Sequence, residues 1–456
     1  MASLSSSSSS SIFLALTLML ISCSSATSRL PSSRRSALID LLPQRSGVGF
    51  RLTLHHVDSG KNLTKIQKIQ RGMGRGFRRL HRLRAAVLAA EDDGANVEAP
   101  THAGNGEFLM KLSAGTPPVT YSAIVDTGSD LIWTQCKPCT KCFDQPTPIF
   151  DPEKSSSFSK LGCSSDPCKA LPQSNCNKDT CEYLYTYGDY SSTQGILAME
   201  TFTFEDEHSV SGLAFGCGED NEGDGFAQGS GLVGLGRGPL SLVSQLKQNE
   251  FSYCLTSIED SDSTSLLFIG SDASNTLNKS MGGEIQTTSL LRNPAQPSFY
   301  YLPLQGITVG SKRLDIEEST FTLSDDGTGG MIIDSGTTLT YLEDSAFRAV
   351  KKEFASRVRL PTDDSGATGL DLCFKLPENT KQIPVPKLIF HFRGADLELP
   401  GENYMIADPS TGVLCLAMGG SNGMSIFGNI QQQNLLVLHD LHKETVSFIP
   451  TECNKL

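Results

Sequence analysis

Beyond its first thirty residues the sequence has no run long and apolar enough to be a membrane helix, and its last residues, VSFIPTECNKL, lack the hydrophobic tail of a lipid-anchor signal. These absences point to a product without a membrane anchor. The N-terminal stretch MASLSSSSSSSIFLALTLMLISCSSATS is apolar only from Ile12 to Ile21, too short to span a bilayer. A polar start before that run and small residues after it read as a secretory signal, residues 1–26. Tryptophan is almost missing, with Trp133 alone.

Acidic residues are scarce in one place only. Residues 27–90 hold 14 Lys and Arg against two acids, Asp40 and Asp58, so this front carries about +12 while the rest of the chain carries about −24. Within it Ile66, Ile69, Met73, Phe77, Leu80, Leu83 and Val87 recur at helical spacing, although Gly72, Gly74 and Gly76 weaken a helix. A basic amphipathic segment suits a membrane surface or nucleic acid, but a secretory route argues against nucleic acid. The reading adopted is a removable prosegment, residues 27–95, that docks on the acidic body by charge and by its apolar stripe. Low pH is expected to weaken that dock by neutralising body carboxylates. The acidic, turn-rich stretch from Glu91 to Gly106 reads as a flexible boundary where processing could occur.

Of thirteen cysteines, Cys23 lies in the signal, and the remaining twelve enter an oxidising compartment. Six disulfides are expected. The close spacing of Cys136, Cys139 and Cys142 also suits zinc, which the secretory route disfavours, so no metal is expected. Asn62-Leu63-Thr64 and Asn278-Lys279-Ser280 are glycosylation sequons.

From Glu107 onward, short β-branched and apolar runs alternate with Gly, Pro, Asn and Ser clusters, which predicts a mainly β protein with few helices, one of them in SAFRAVKKEFASRV. Two stretches stand out, IVDTGSDLIW around Asp126 and MIIDSGTTLTYL around Asp334. Each aspartate follows an apolar pair and precedes a hydroxyl residue, a glycine and another hydroxyl: Thr127, Gly128 and Ser129, then Ser335, Gly336 and Thr337. The apolar pair ends a buried strand, the glycine lets backbone N–H groups approach the carboxylate, and the hydroxyls can hold its oxygens. One such motif alone reads as an Asx turn after a strand. Two with matching flanks read as a pair of carboxyls meeting across a pseudo-twofold axis, where one holds a proton and the other does not. Such a pair can activate a shared water for general acid–base hydrolysis, and it titrates as a unit.

These two segments resemble the active-site loops of pepsin-like aspartic proteases. The resemblance extends through GEFLMKLSAGTPP, YTYGDYSSTQG, FGCGEDNEG, GLVGLGRGPLSL, FSYC, DLCF, ENYMI and MSIFGNIQQQN, covers nearly everything from about Gly94 to the C-terminus, and is similar to the nepenthesin type of plants. It implies a bilobal pepsin-like acid protease fold, residues 96–284 and 285–456, with the cleft between two pseudo-twofold-related β lobes. It also implies Tyr187, before Gly188, as the tyrosine of a hairpin flap, with Trp133 as its support. Leu232-Val233-Gly234 and Ile426-Phe427-Gly428 become the segments packing beneath the two loops. That reading displaces the dinucleotide pattern GSGLVG, which lacks a βαβ setting, and the serine-hydrolase pattern GGSNG, which lacks a turn into a helix. The implied disulfides are Cys136–Cys139, Cys142–Cys217, Cys163–Cys181, Cys168–Cys176, Cys254–Cys453 and Cys373–Cys415. One departure is Tyr190, where the family commonly has glycine.

The resulting expectation is an aspartic endopeptidase, secreted or vacuolar and made as a zymogen. Its substrates are polypeptides, its own prosegment is its inhibitor, and it is a monomer without a cofactor. The rival reading is a binding protein, since some plant relatives inhibit microbial glycanases, usually with altered catalytic positions; here both aspartates and the flap tyrosine persist.

Overall fold

The computed structural model describes residues 49–76, 107–187, 191–223, 226, 228–258, 260, 263–276, 284–377 and 383–456. These described residues form one compact unit. The signal and most of the basic front lie outside the described residues, as do Gly188, Tyr190 and Asn278, whereas Asn62 is exposed.

The predicted β character holds. A large sheet runs without a break through strands of both halves of the chain. In it, Gln286–Ser289, Thr445–Pro450 and Leu435–Asp440 from the C-terminal half lead to Glu250–Cys254 and Ser265–Ile269. Next come Phe50–His56, Phe108–Ala114, Val119–Asp126, Gly231–Gly234 and Trp133–Gln135. Alternating burial along Phe108–Ala114, with Phe108, Met110, Leu112 and Ala114 inward, is what a sheet covered on one face requires.

Phe50–His56, from the basic front, is an interior strand. It pairs antiparallel with Ser265–Ile269 on one side and with Phe108–Ala114 on the other, and puts Leu52 and Leu54 into the main core. A helix follows over residues 65–76, so Gly72 and Gly74 do not stop it. The reason is packing: a Cβ on Gly72 would stand 2.6 Å from two side-chain atoms of Thr338, and the missing side chain lets the helix lie flush on that residue.

The two halves repeat one local design. Val119–Asp126 pairs in parallel with Gly231–Gly234, which pairs antiparallel with Trp133–Gln135. Likewise Met331–Ile333 pairs in parallel with Ser425–Phe427, which pairs antiparallel with Thr340–Glu343. The segments ending in Gly234 and Gly428 lie beneath the aspartate turns, and both glycines are forced by close backbone approach. A Cβ on Gly234 would sit 2.3 Å from the Asp130 carbonyl carbon, and one on Gly428 2.2 Å from the Leu339 oxygen. The expected helix spans Asp344–Arg357, with the Glu343 side chain accepting from the Ser345 N–H and with Ala346, Phe347, Val350 and Phe354 buried at helical spacing.

Four of the implied disulfides are corrected. The structure joins Cys136 to Cys217, Cys139 to Cys142, Cys163 to Cys176 and Cys168 to Cys181, together with Cys254–Cys453 and Cys373–Cys415. Burial sorts the partners. Cys136 follows directly on the buried strand Trp133–Gln135, in which Thr134 lies in register with Cys217, while Cys139 and Cys142 close a short outer turn. Cys176 and Cys181 face each other on adjacent strands, yet the buried Cys181 takes the buried Cys168 and the exposed Cys176 takes Cys163.

Candidate active site

Asp126 is the last residue of its strand and Asp334 follows Met331–Ile333 directly; both are fully buried. Each turn then wraps its own carboxylate in the same way. The Gly128 N–H donates to one Asp126 oxygen at 3.0 Å and the Ser129 hydroxyl to the other at 2.6 Å. The Gly336 N–H donates to Asp334 at 2.9 Å and the Thr337 hydroxyl at 2.5 Å. Hydroxyl and N–H thus grip both oxygens of each carboxyl and fix its plane.

The turns also meet. Thr127 Oγ1 accepts the Ser335 N–H at 3.1 Å, lies 3.2 Å from the Ser335 hydroxyl, and reaches Asp334 Oδ1 at 3.4 Å. Beneath Asp334, Gln432 Nε2 donates to the carbonyls of Phe427 and Asp334 at 2.7 and 3.3 Å, and Tyr253 donates to Gln432 Oε1 at 2.6 Å. Burial, with the Asp334 charge adding, pushes the Tyr253 phenol well above its usual range, so it stays a neutral donor.

Tyr187 leaves the strand Thr180–Thr186, and its N–H donates to the Ser191 carbonyl at 2.7 Å, closing a hairpin base. Its ring packs 5.1 Å from Phe226 and from Tyr185 and 6.5 Å from Trp133. Tyr187 Oη and Trp133 Nε1 are both buried and turn toward each other, short of good hydrogen-bond geometry. Burial and the neighbouring Tyr185, Tyr183 and Asp126 raise the Tyr187 phenol far above its ordinary value, against the opposing Trp133 N–H.

A cavity of about 930 Å³ opens beside this cluster, lined from the N-terminal half by Asp130, Tyr185 and Leu240 and from the C-terminal half by Arg292 and Ser298. Asp130 was not singled out from the sequence, although it sits inside the first motif. Its carboxyl accepts the Gly238 N–H at 2.8 Å and the Ser298 hydroxyl, which ties the first turn to the other half. Burial raises its pKa, and the Asp126 charge adds to that. The signal for it was local: Cβ atoms on Gly236 and Gly238 would stand 2.4 and 2.0 Å from its oxygens, so the glycine pattern after Val233 makes room for a carboxyl. Among the described residues no cluster of His, Cys, Asp and Glu could hold a metal ion, and no helix is long and apolar enough to cross a membrane.

Comparison with known proteins decides the family. The chain is 51% identical over 424 residues to aspartic proteinase nepenthesin-2 of Nepenthes gracilis, which spans 92% of this chain and 94% of that protein. It is 52% identical over 407 residues to nepenthesin-1 of the same plant, covering 89% and 90%. The chain belongs to the nepenthesin-type aspartic proteinases. Two family descriptions, "Xylanase inhibitor N-terminal" and "Xylanase inhibitor C-terminal", match residues 108–271 and 299–450. Among solved structures, the protein called edgp superposes with a TM-score of 0.65 at 19% identity, covering 91% of this chain and 97% of that one. Soybean basic 7S globulin superposes at 0.59 with 22% identity, covering 76% and 94%; both likenesses concern the fold alone.

Proposed function

We infer that this aspartic endopeptidase is a secreted or vacuolar zymogen that works at acidic pH, with Asp126 and Asp334 as its catalytic pair. The observation that carries the reading is the matched grip on the two carboxylates, joined through Thr127. Two adjoining carboxyls in a buried site share one proton. The ionised member takes a proton from a water molecule as that water attacks the peptide carbonyl, while the protonated member gives its proton to the carbonyl oxygen. The resulting diol collapses as the amine leaves with a proton, and no covalent enzyme intermediate forms. In this reading the polypeptide lies between the halves, across the two aspartate turns. Tyr187 closes over it and Trp133 supports that ring.

Residues 27–95 act as the prosegment in this reading, and 49–76 are the part of it that the structure describes. Their strand occupies the interior of the sheet, and their helix lies against Thr338, four residues past Asp334. Enzyme action in this reading is monomeric, since both aspartates come from one chain.

The test is cleavage of denatured haemoglobin by the processed protein from pH 2.5 to 7, with pepstatin and with Asp126→Asn and Asp334→Asn. Acid-dependent cleavage abolished by the inhibitor and by either substitution is expected. The descriptions of the two matching families favour one other reading, a protein that binds and inhibits a xylanase. Absence of cleavage after complete processing would leave that reading standing.

A further inference from the structure

Arg75 is only 4% exposed and is held between two fully buried carboxylates, Asp58 and Glu107. Its Nε donates to Glu107 Oε1 at 2.7 Å, and its Nη2 to Glu107 Oε2 at 3.0 Å and to Asp58 Oδ2 at 3.1 Å. His56 Nε2 stands 2.9 Å from Glu107 Oε2. The Arg75 cation, with His56 adding, holds the Glu107 carboxyl at about 2 against its burial. None of this was visible in the helical stripe, which concerned apolar positions only.

Ownership of these groups is uneven. Arg75, His56 and Asp58 all belong to the segment before the stretch 77–106, whereas Glu107 opens the strand that runs through the body. When the segment leaves, the Arg75 guanidinium and the His56 ring, which both face Glu107, leave with it. What remains from the body, among the described residues, is the Thr338 hydroxyl, which donates to Glu107 Oε1 at 2.9 Å. A carboxylate buried beside a cation is costly without one, and among the described residues of the body no Lys or Arg is paired with Glu107.

The position of Glu107 matters as much as its charge. One hydrogen bond joins it to Thr338, on the turn of Asp334, and its strand lies in register with that of Asp126, Leu109 opposite Ile124. The departing helix lies on the same spot, with Gly72 against the Thr338 side chain and Gly76 facing the Thr338 N–H and the Tyr341 hydroxyl. Its main chain therefore approaches the second turn closely and delivers a guanidinium into the fork of Glu107.

We propose that Glu107 is a specificity-determining residue, the carboxylate of a subsite that receives an arginine or lysine side chain of the polypeptide substrate in the place Arg75 occupies in the intact chain. This rests on the endopeptidase reading. Thr338 is its positioning partner.

The experiment uses full-length chain that has been processed, and sets of peptides differing only in Arg, Lys or Gln at each position around one scissile bond. At one position Arg is expected to exceed Gln by at least about tenfold in kcat/KM, equivalent to about 1.4 kcal/mol. Glu107→Gln should bring that ratio to about one, and Glu107→Asp should keep part of it. A ratio near one at every position, or a preference unchanged in Glu107→Gln, overturns the proposal. If Glu107→Gln does not fold, inhibition of the unsubstituted enzyme by a synthetic peptide of residues 65–76 decides. Arg75→Gln in the peptide should weaken inhibition at least tenfold, and equal inhibition overturns the subsite. Cleavage without the Arg preference sinks this proposal alone, whereas no cleavage of any peptide or of haemoglobin sinks the endopeptidase reading with it.

Discussion

Thr127 Oγ1 accepts the main-chain N–H of Ser335 at 3.1 Å, although the two residues are 208 positions apart. Each aspartate turn is complete by itself, yet this bond sets how the two carboxylates stand toward each other. Thr127 is 2% exposed, so no water readily replaces its hydroxyl.

Thr127→Ala should therefore leave a buried N–H without an acceptor, at about 1–3 kcal/mol. Expected is a fall of about tenfold to a hundredfold in kcat/KM on haemoglobin, together with a lower thermal midpoint. Thr127→Ser keeps the hydroxyl and should stay near the parent. Equal loss in both variants would show that the methyl group, and not the hydrogen bond, matters.

The Glu107–Arg75 pair predicts how the dock responds to acid. The Glu107 carboxyl is held at about 2, so its contribution is fully present above its ordinary value near 4.5 and is lost only as pH falls through about 2. The expected weakening at low pH therefore does not act at this pair. In full-length Asp126→Asn, chosen to exclude self-cleavage under the proposed function, hydrogen exchange should show the amides of residues 50–56 still protected at pH 3.5. Arg75→Gln should lose that protection.

His439 predicts an opposing pH effect on stability. Its ring stacks 4.5 Å from Phe251, both its nitrogens are buried without a partner, and burial with the Arg237 charge lowers its pKa to about 3. The unfolded chain binds this proton near pH 6.5 and the folded chain does not, so stability falls as pH drops from about 6.5 toward 3, by about 1.4 kcal/mol per unit. Relief of repulsion in the acidic body acts in the other direction. Thermal unfolding of His439→Phe should show a gain in stability at pH 4 relative to the parent that is absent at pH 7.

Gly428→Ala places a Cβ 2.2 Å from the Leu339 carbonyl oxygen, and Gly234→Ala one 2.3 Å from the Asp130 carbonyl carbon. Both neighbours are backbone and cannot rotate away. Each substitution should cost about 3 kcal/mol or more, read by chemical denaturation. Gly366→Ala, whose Cβ meets nothing within 4 Å, serves as a control in which the cost comes from its φ of +68° alone.

Much of the site is legible in the chain because its logic is short-ranged. An apolar pair, an aspartate, a hydroxyl, a glycine and a second hydroxyl form a strand end and a turn wherever they occur, and the bonds from Gly128, Ser129, Gly336 and Thr337 span only two or three residues. Duplication of that pattern, alternation in the strands and the 3.6-residue spacing of Asp344–Arg357 are likewise local, so the mainly β architecture and the pairing of two halves follow from sequence.

What joins distant segments was decided by tertiary structure. The crossed bridges Cys163–Cys176 and Cys168–Cys181 depend on which sulfur faces the core, a property that spacing does not carry. Asp130 with Ser298, Tyr253 with Gln432 and Arg75 with Glu107 are each contacts between a polar side chain and a partner tens to hundreds of residues away. Local sequence specifies the conformation of a turn because backbone sterics and adjacent donors act over a few residues. The partner of a buried charge is chosen only when folding removes water from both, and that choice belongs to the whole molecule.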